Sequence, residues 1–343
     1  MKSGNAGNSN SEALKRLSGM SESMILLILL VMIATFALLN PGFLSPSNVS
    51  SVLKTLAFYG IVAIGETLII LCGDIDISVG SVAGFGAVFG AYIMVTTHCL
   101  GMQETPYEAL GVILCMVITM IFCSIFGFVN AFLIVTLKLP PFIATIATLY
   151  SIRGLVNVVT KGYPIYPLPS FFINNIGSLE LKIGGFGLSF SFIAFIILGI
   201  VFTIILQKTA FGRNLYATGS NRQVAMLAGI KTNRIRYIAI IITAMLASFS
   251  GMLVAAFTQQ GYPPIGQGGE LYIIAAIVIG GISLTGGAGS VFGTMIGMVI
   301  MNVINNGLVM LNINTFVQQA VLGVVILLAV FADVQRRARK VRL

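Results

Sequence analysis

The chain contains very little charge for its length. Only 8% of its 343 residues are charged, whereas 57% are apolar, and the mean hydropathy is +1.01. A soluble domain carries charge on about a quarter of its residues, because its surface faces water. This composition cannot cover such a surface, but it can cover one that faces lipid. We therefore predict one integral membrane domain and no separate soluble module.

Residues that carry out chemistry are also scarce. There is one histidine, His98, and no Gly-Lys pair, so the chain has no Gly-x-x-x-x-Gly-Lys-Ser/Thr phosphate loop. Asp74 and Asp76 lie on one segment, whereas an intramembrane aspartyl protease needs opposed aspartates on different helices. The cysteines lack CxxC spacing and are expected to be small buried hydrophobic residues. They are Cys72, Cys99, Cys115 and Cys123. We predict no catalytic residue, no metal site and no ATPase activity on this chain.

Ten apolar segments approach the length of about 20 residues that a helix needs to cross a bilayer. They lie at 24–40, 52–72, 78–98, 109–137, 141–159, 189–206, 237–257, 271–285, 289–311 and 315–332. The eighth is short enough to be a broken or re-entrant helix. No small-residue cleavage site follows the first, so we interpret it as a retained span rather than a signal peptide. The pattern predicts an all-α polytopic membrane protein with about ten transmembrane helices.

The basic residues fall mainly into three blocks that flank apolar segments. The blocks are Lys2, Lys15 and Arg16; Lys208, Arg213, Arg222, Lys231, Arg234 and Arg236; and Arg336, Arg337, Arg339, Lys340 and Arg342. Lys and Arg concentrate in cytoplasmic loops, and ten spans with an inside N-terminus place all three blocks on the cytoplasmic side of the membrane. Both termini are then cytoplasmic. The chain divides into an N-terminal tail (1–23), a transmembrane domain (24–332) with a cytoplasmic loop (207–236), and a basic C-terminal tail (333–343).

An ionised carboxylate at membrane depth is costly unless it is paired or hydrogen-bonded. Three carboxylates lie in or near the second span: Glu66, Asp74 and Asp76. Glu66 lies inside that span and should face the bundle interior or a wet cavity. Two interpretations of Asp76 remain open: Asp76 or Ser78 caps the third span, or Asp76 is a gate in a translocation path. Residues 73–80 also share a Gly-x-Ile-x-apolar-hydroxyl pattern with 280–287. Paired interrupted segments of this kind often mark a transport pathway.

Amide side chains also recur within the spans. Three asparagines of the ninth span, 302, 305 and 306, share one helical face through their i, i+3, i+4 spacing. Such residues either line a path for an uncharged polar solute or join helices through hydrogen bonds. The candidate pathway residues are Glu66, Asp76, Asn130, Asn302, Asn305 and Asn306.

The loop 207–236 is predicted to contain a short helix. Ser220 as N-cap and Gln223 three residues later form a capping-box pattern. The helix then runs from Asn221 to Ala228 and ends at Gly229. Its apolar residues share one face: Val224, Leu227 and Ala228. Such a helix is suited to docking in a partner's groove, and the alternative is a helix lying flat on anionic lipid.

A set of motifs runs from about Asn40 to Asp333 and is specific when taken together. The motifs are Asn40-Pro41-x-Phe43-Leu44-Ser45, Gly73-x-Ile75-Asp76-Ile77-Ser78-Val79-Gly80-Ser81, Pro141-Phe142-Ile143-Ala144-Thr145, Gly212-Arg213-Asn214-x-Tyr216-Ala217-x-Gly219-x-Asn221, Ala228-Gly229-Ile230, Gly269-Glu270-Leu271, Ile279-Gly280-Gly281-x-Ser283-Leu284-x-Gly286-Gly287 and Asn305-Asn306-Gly307-Leu308. With them the chain resembles the permeases of ribose-, xylose- and galactose-type ATP-binding-cassette (ABC) importers.

The resemblance implies an ABC-importer permease fold that moves a monosaccharide by alternating access. It implies three partners: a second permease, identical or paralogous; a cytoplasmic subunit that binds ATP and Mg²⁺; and a periplasmic sugar-binding protein. No cofactor is expected on this chain itself. The rival function is a proton-coupled secondary transporter of a small polar solute, with Glu66 and Asp76 titrating.

The resemblance also assigns ATPase coupling to the loop 207–236. The candidate coupling residues are Gly212, Arg213, Asn221, Arg222, Gln223, Leu227 and Gly229. The family's Glu-Ala-Ala-x-x-x-Gly motif is present only as Gln223-Val224-Ala225-x-x-x-Gly229, without the acid. Charge pairing through position 223 is therefore not expected.

Overall fold

A computed structural model describes residues 27–183 and 186–341. Its helices are α1 (Leu27–Leu39), α2 (Pro46–Leu71), α3 (Val79–Thr96), α4 (Glu108–Ala131), α5 (Pro141–Thr160), α6 (Phe190–Lys208), α7 (Ala210–Ser220), α8 (Arg222–Leu227), α9 (Thr232–Thr258), α10 (Gly269–Ile279), α11 (Val291–Met310) and α12 (Thr315–Val341). A π-helical turn at Phe132–Thr136 extends α4, another lies at Phe172–Gly177, and a left-handed turn follows α3 at His98–Gly101. Strands β1 (Glu180–Ile183) and β2 (Phe186–Ser189) form an antiparallel hairpin.

Eight of the described helices are long and apolar enough to cross a membrane, namely α2, α3, α4, α5, α6, α9, α11 and α12. Two shorter apolar helices, α1 and α10, correspond to the first and eighth predicted segments. The all-α polytopic fold class is thus confirmed, while the count of ten spans and the cytoplasmic termini stay predictions. The N-terminal tail (1–23) lies outside the described residues. The predicted boundary at residue 333 falls inside α12, which continues to Val341.

Helices α2, α3 and α9 form the centre of the bundle because small residues let their backbones approach closely. α9 packs against α2, α3 and α4. At Gly251 of α9, a Cβ atom would overlap the backbone carbonyl oxygen of Ala83 in α3. Only 22% of the residues in the apolar window of α5, and the same share in α6, are buried inside the bundle, as expected for helices at its outside.

The backbone between α9 and α10 is irregular although it lies among helices. Gly261 packs against Ala91 of α3, and Gly266 packs against Gly80 at the start of the same helix. The segment therefore runs back along α3 before α10 begins. Non-helical backbone is tolerated at membrane depth where protein groups satisfy it. Arg153 Nη1 does so by donating to two carbonyl oxygens of this segment, those of residues 263 and 265, both at 2.9 Å.

The bundle has two distinct ends, which long-range contacts identify. At the hairpin end, Ser50 Oγ donates to the carbonyl oxygen of Gly187 at 3.1 Å. At the opposite end, the α7–α8 end, the Tyr216 hydroxyl donates to the carbonyl oxygen of Gly289 at 2.8 Å. The Gly287 N–H donates there to the Leu71 carbonyl at 3.0 Å. Gly286 also packs against Gly73, so the two segments with the shared sequence pattern, 73–80 and 280–287, meet at the α7–α8 end.

Candidate solute cavity and coupling loop

A cavity of about 350 Å³ extends from the hairpin end to the start of α10. This is within the range of small-molecule sites, roughly 300–1,000 Å³. Its walls come from α2, α6, α9, the turn at Phe172–Gly177 and the irregular segment before α10. The lining residues are Ser51, Lys54, Thr55, Phe58, Tyr59, Gly177, Ser191, Leu253, Val254, Phe257, Thr258, Tyr262, Pro264, Ile265, Gly266 and Gln267.

The lining combines aromatic rings with uncharged polar groups. Tyr262 and Gln267 supply an aromatic face and an amide. Among the described lining residues, Lys54 is the one charged side chain. Its Nζ lies 2.7 Å from the Glu180 carboxylate and 4.8 Å from the centre of the Phe257 ring. Because the lysine is already paired, the cavity offers an uncharged ligand polar and aromatic contacts without presenting a free charge.

The structure brings together three of the predicted pathway residues, Glu66, Asp76 and Asn130, in one buried network. The Asp76 N–H donates to Glu66 Oε1 at 3.0 Å. Asn130 Nδ2 donates to Asp76 Oδ2 at 3.1 Å and to Ser78 Oγ at 2.8 Å. Glu66 Oε2 and Asn130 Oδ1 are buried and find no hydrogen-bond partner within the described part of the chain. The network joins α2, α4 and the start of α3.

The capping interpretation of this segment needs correction. Ser78 is the N-cap residue of α3, but its side chain makes no capping hydrogen bond. Instead, Asp76 Oδ1 accepts from the Ser78 N–H at 2.8 Å and from the Ser78 hydroxyl at 2.6 Å. The carboxylate therefore binds the N-cap residue itself and not the free N–H groups of the first turn.

Asp74, which entered no predicted site, forms a buried ion pair across the bundle. Arg236 Nε lies 2.6 Å from Asp74 Oδ2, and Arg236 Nη2 lies 2.8 Å from Asp74 Oδ1. Arg222 Nη2 lies 3.5 Å from the same Oδ1 atom. The basic block between residues 208 and 236 was the sequence signal for these partners, but it did not indicate which aspartate they bind.

The asparagines of α11 lie apart from the cavity lining. Asn302 Nδ2 donates to the carbonyl oxygen of Val52 at 2.7 Å. Asn306 and Asn48 exchange two amide hydrogen bonds of 2.9 Å each. These contacts join α11 to α2, which is the interhelical alternative left open above, and Asn305 beside them is half-buried. A role of the three asparagines in the pathway stays a prediction.

The loop between α6 and α9 contains two helices, α7 and α8. Asn221 Oδ1 accepts from the N–H groups of Gln223 and Val224, both at 3.1 Å. The N-cap of α8 is therefore Asn221, and the prediction of Ser220 is wrong by one residue, because the Ser220 hydroxyl donates back to Tyr216 within α7. Beyond α8, Gly229 has φ = +80°, the left-handed conformation predicted for it.

No described residue of the chain covers the apolar face of α8. Leu227 is 90% exposed and Val224 is 59% exposed. Of the other candidate coupling residues in α7, Gly212 packs against the backbone of Leu206, and Arg213 is exposed. α8 thus presents large apolar side chains at the α7–α8 end of the bundle.

Comparisons with known proteins agree with this architecture. Residues 48–330 match the family described as branched-chain amino acid transport system / permease component. The chain is 34% identical to the ribose import permease protein of Bacillus subtilis over 90% of its own length and 92% of the relative's. It is 31% identical to an L-arabinose ABC transporter permease protein of Azospirillum brasilense, over 93% and 89% of the two chains.

A third relative is the autoinducer 2 import system permease protein of Photorhabdus luminescens. It is 33% identical to the chain over 93% of the chain and 92% of the relative. No solved structure was found to match. The family resemblance that the motifs indicated is therefore confirmed, and this chain belongs to the family of membrane permease components of transport systems.

Proposed function

We propose that this permease imports a monosaccharide across a bacterial inner membrane, driven by a separate ATP-hydrolysing subunit. Relatives that match nine tenths of the chain are named as permeases for ribose import, for L-arabinose transport or for autoinducer 2 import. A sugar-binding protein would deliver the solute at the hairpin end, and a second permease chain would complete the complex. The irregular segment before α10 fits this function, because interrupted helices in transporters border substrate sites.

The cavity is the observation that favours a sugar over the branched-chain amino acid of the family's description. An amino acid is zwitterionic, so its site must satisfy a carboxylate and an ammonium group. Lys54, the one charged residue in the described lining, is already paired with Glu180 at 2.7 Å. A neutral sugar needs hydroxyl, amide and aromatic contacts, which Thr55, Tyr262 and Gln267 provide.

The α7–α8 end supports coupling to a separate ATPase subunit. The exposed apolar face consists of Val224 and Leu227 of α8 and of Ala228, its C-cap residue, and burying these three side chains contributes at most a few kcal/mol. This favours a shallow groove on a protein over strong binding to lipid. ATP and Mg²⁺ would be bound by the partner, since this sequence has no phosphate loop. To shift the permease between two conformational states, the ATPase partner must bind one state more tightly than the other.

The deciding experiment measures ATP hydrolysis by the reconstituted complex with a panel of monosaccharides and branched-chain amino acids. We expect a monosaccharide to stimulate hydrolysis and to accumulate in the vesicles. Gln267→Leu removes one polar contact, and we expect it to raise the half-stimulating concentration roughly five- to tenfold. Gln319→Leu is the matched control, because Gln319 is exposed on α12 and does not line the cavity. Stimulation by amino acids alone would contradict the sugar assignment.

Proton-coupled transport is the second candidate, favoured by the buried Glu66 carboxylate oxygen that lacks a hydrogen-bond partner in the described structure. An intramembrane carboxylate of this kind is a feature of proton relays. Vesicles that contain the permease alone, with a pH gradient and no ATP, distinguish the two functions. Uptake in those vesicles would support the proton-coupled candidate and contradict the ATP-driven one.

A further inference from the structure

Asp74 has two arginine partners, although one already satisfies its carboxylate. Arg236, near the start of α9, binds both carboxylate oxygens at 2.6 and 2.8 Å, and both side chains are buried. A bidentate arginine–carboxylate pair is among the strongest polar contacts in proteins. The approach of a second cation, Arg222, therefore needs an explanation beyond neutralising the aspartate.

The Arg222 contact is only partly formed. Arg222 is the first residue of α8, and its Nη2 lies 3.5 Å from Asp74 Oδ1 and 3.4 Å from the Cys72 carbonyl oxygen. Both distances are at the upper limit for hydrogen bonds. The Arg222 Nε atom is buried and has no hydrogen-bond partner in the described ranges. A small movement of α8 can therefore shorten this contact or break it without unpairing Asp74.

The loop that carries Asp74 leads directly into the centre of the bundle. Two residues later, the Asp76 N–H donates to Glu66 of α2, and the Asp76 carboxylate accepts from Asn130 of α4. On its other side, the Leu71 carbonyl accepts from Gly287 in the segment that follows α10. The residues just before α10 line the cavity. The chain from Asp76 then enters α3, where Gly80 packs against Gly266 of the cavity lining. Contacts thus lead from α8 through the Asp74 loop and the start of α3 to the cavity.

We propose that Arg222 and Asp74 form the contact through which movement of α8 reaches the membrane-spanning helices. This inference rests on the proposed function, since it requires an ATPase subunit that moves α8. In the working cycle, the Arg222–Asp74 contact tightens in one state and lengthens in the other. Arg236 holds the Asp74 carboxylate in place in both. Arg222 is a positioning residue that acts through Asp74 and touches no solute.

The test uses the complete reconstituted transporter and measures sugar uptake per ATP hydrolysed. Arg222→Gln removes the charge while Asp74 keeps its partner Arg236, so the fold should be retained. We expect the ATPase subunit to co-purify at the wild-type level and hydrolysis to continue, while uptake per ATP falls roughly tenfold. Arg234→Gln is the matched control, because it removes the same charge from an exposed position twelve residues away.

Two results would overturn the proposal. One is an unchanged ratio of uptake to hydrolysis in Arg222→Gln, and the other is loss of the co-purifying ATPase, which would make Arg222 a docking residue. Adding Asp74→Asn to Arg222→Gln should not lower the ratio further, and an additive loss would contradict a shared pathway. If Asp74→Asn fails to fold, the comparison of Arg222→Gln with Arg234→Gln decides alone. A wild-type complex without ATP-dependent uptake would refute the proposed function instead.

Discussion

Asp76→Ala should destabilise the bundle because the Asp76 carboxylate accepts three hydrogen bonds in a buried site. Oδ1 accepts from the Ser78 N–H at 2.8 Å and from its hydroxyl at 2.6 Å, and Oδ2 accepts from Asn130 at 3.1 Å. Truncation leaves both the Ser78 N–H and the Ser78 hydroxyl without their acceptor, whereas Asn130 keeps its bond to Ser78 Oγ. Unsatisfied buried donors cost about 1–3 kcal/mol each, and removal of a desolvated carboxylate offsets part of this. We expect a net loss of about 2–4 kcal/mol.

Asp76→Asn should cost less, about 1 kcal/mol, because the carbonyl oxygen of asparagine still accepts from Ser78. Its amide group would face the amide of Asn130, so one contact is lost. Thermal unfolding of the purified permease in detergent measures both variants. The chain has no tryptophan, but its four cysteines are buried, so a thiol-reactive dye reports unfolding.

Two results would refute this reasoning. An unfolding temperature of Asp76→Ala equal to that of the wild type would mean that the network does not stabilise the bundle. Normal folding of Asp76→Asn with complete loss of uptake would mean that the negative charge itself is needed. That second outcome would support the gating interpretation of Asp76.

Three further predictions concern docking, packing and topology. Leu227→Asp should leave membrane insertion and thermal stability unchanged, since the side chain is 90% exposed, but should abolish co-purification of the ATPase subunit. Gly251→Ala should lower the unfolding temperature, because its Cβ would overlap the Ala83 carbonyl, with an overpacking cost of about 1–3 kcal/mol. In intact cells, a membrane-impermeant thiol reagent should label a single cysteine introduced at position 182 but not one introduced at position 221.

The docking and packing variants have matched controls. Asn233→Asp adds the same charge at an exposed position near α8 and should keep the ATPase subunit bound. Gly154→Ala, where a Cβ meets no atom within 4 Å, should not lower the unfolding temperature. A Leu227→Asp variant that still transports would show that α8 is not the docking element. Labelling of a cysteine at position 221 would contradict the predicted topology.

The sequence by itself determined the properties that depend on neighbouring residues. Low charge and long apolar segments specified a membrane bundle, since burial in lipid depends on the hydropathy of each segment. The end of α8 at Gly229 was predictable for the same reason, because a helix terminus is a local structure. The short eighth segment indicated an interrupted helix, which the structure has in α10 and the irregular backbone before it.

Only the tertiary structure decided which groups meet. Asp74 and Arg236 are 162 residues apart, and local patterning does not specify which of several arginines pairs with which aspartate. The cavity takes its lining from five separate segments, so no single motif encodes it. Even the choice of Asn221 over Ser220 as N-cap depended on where α7 ends. Such contacts follow from how helices pack in three dimensions, whereas hydropathy and capping patterns act within a few turns of one helix.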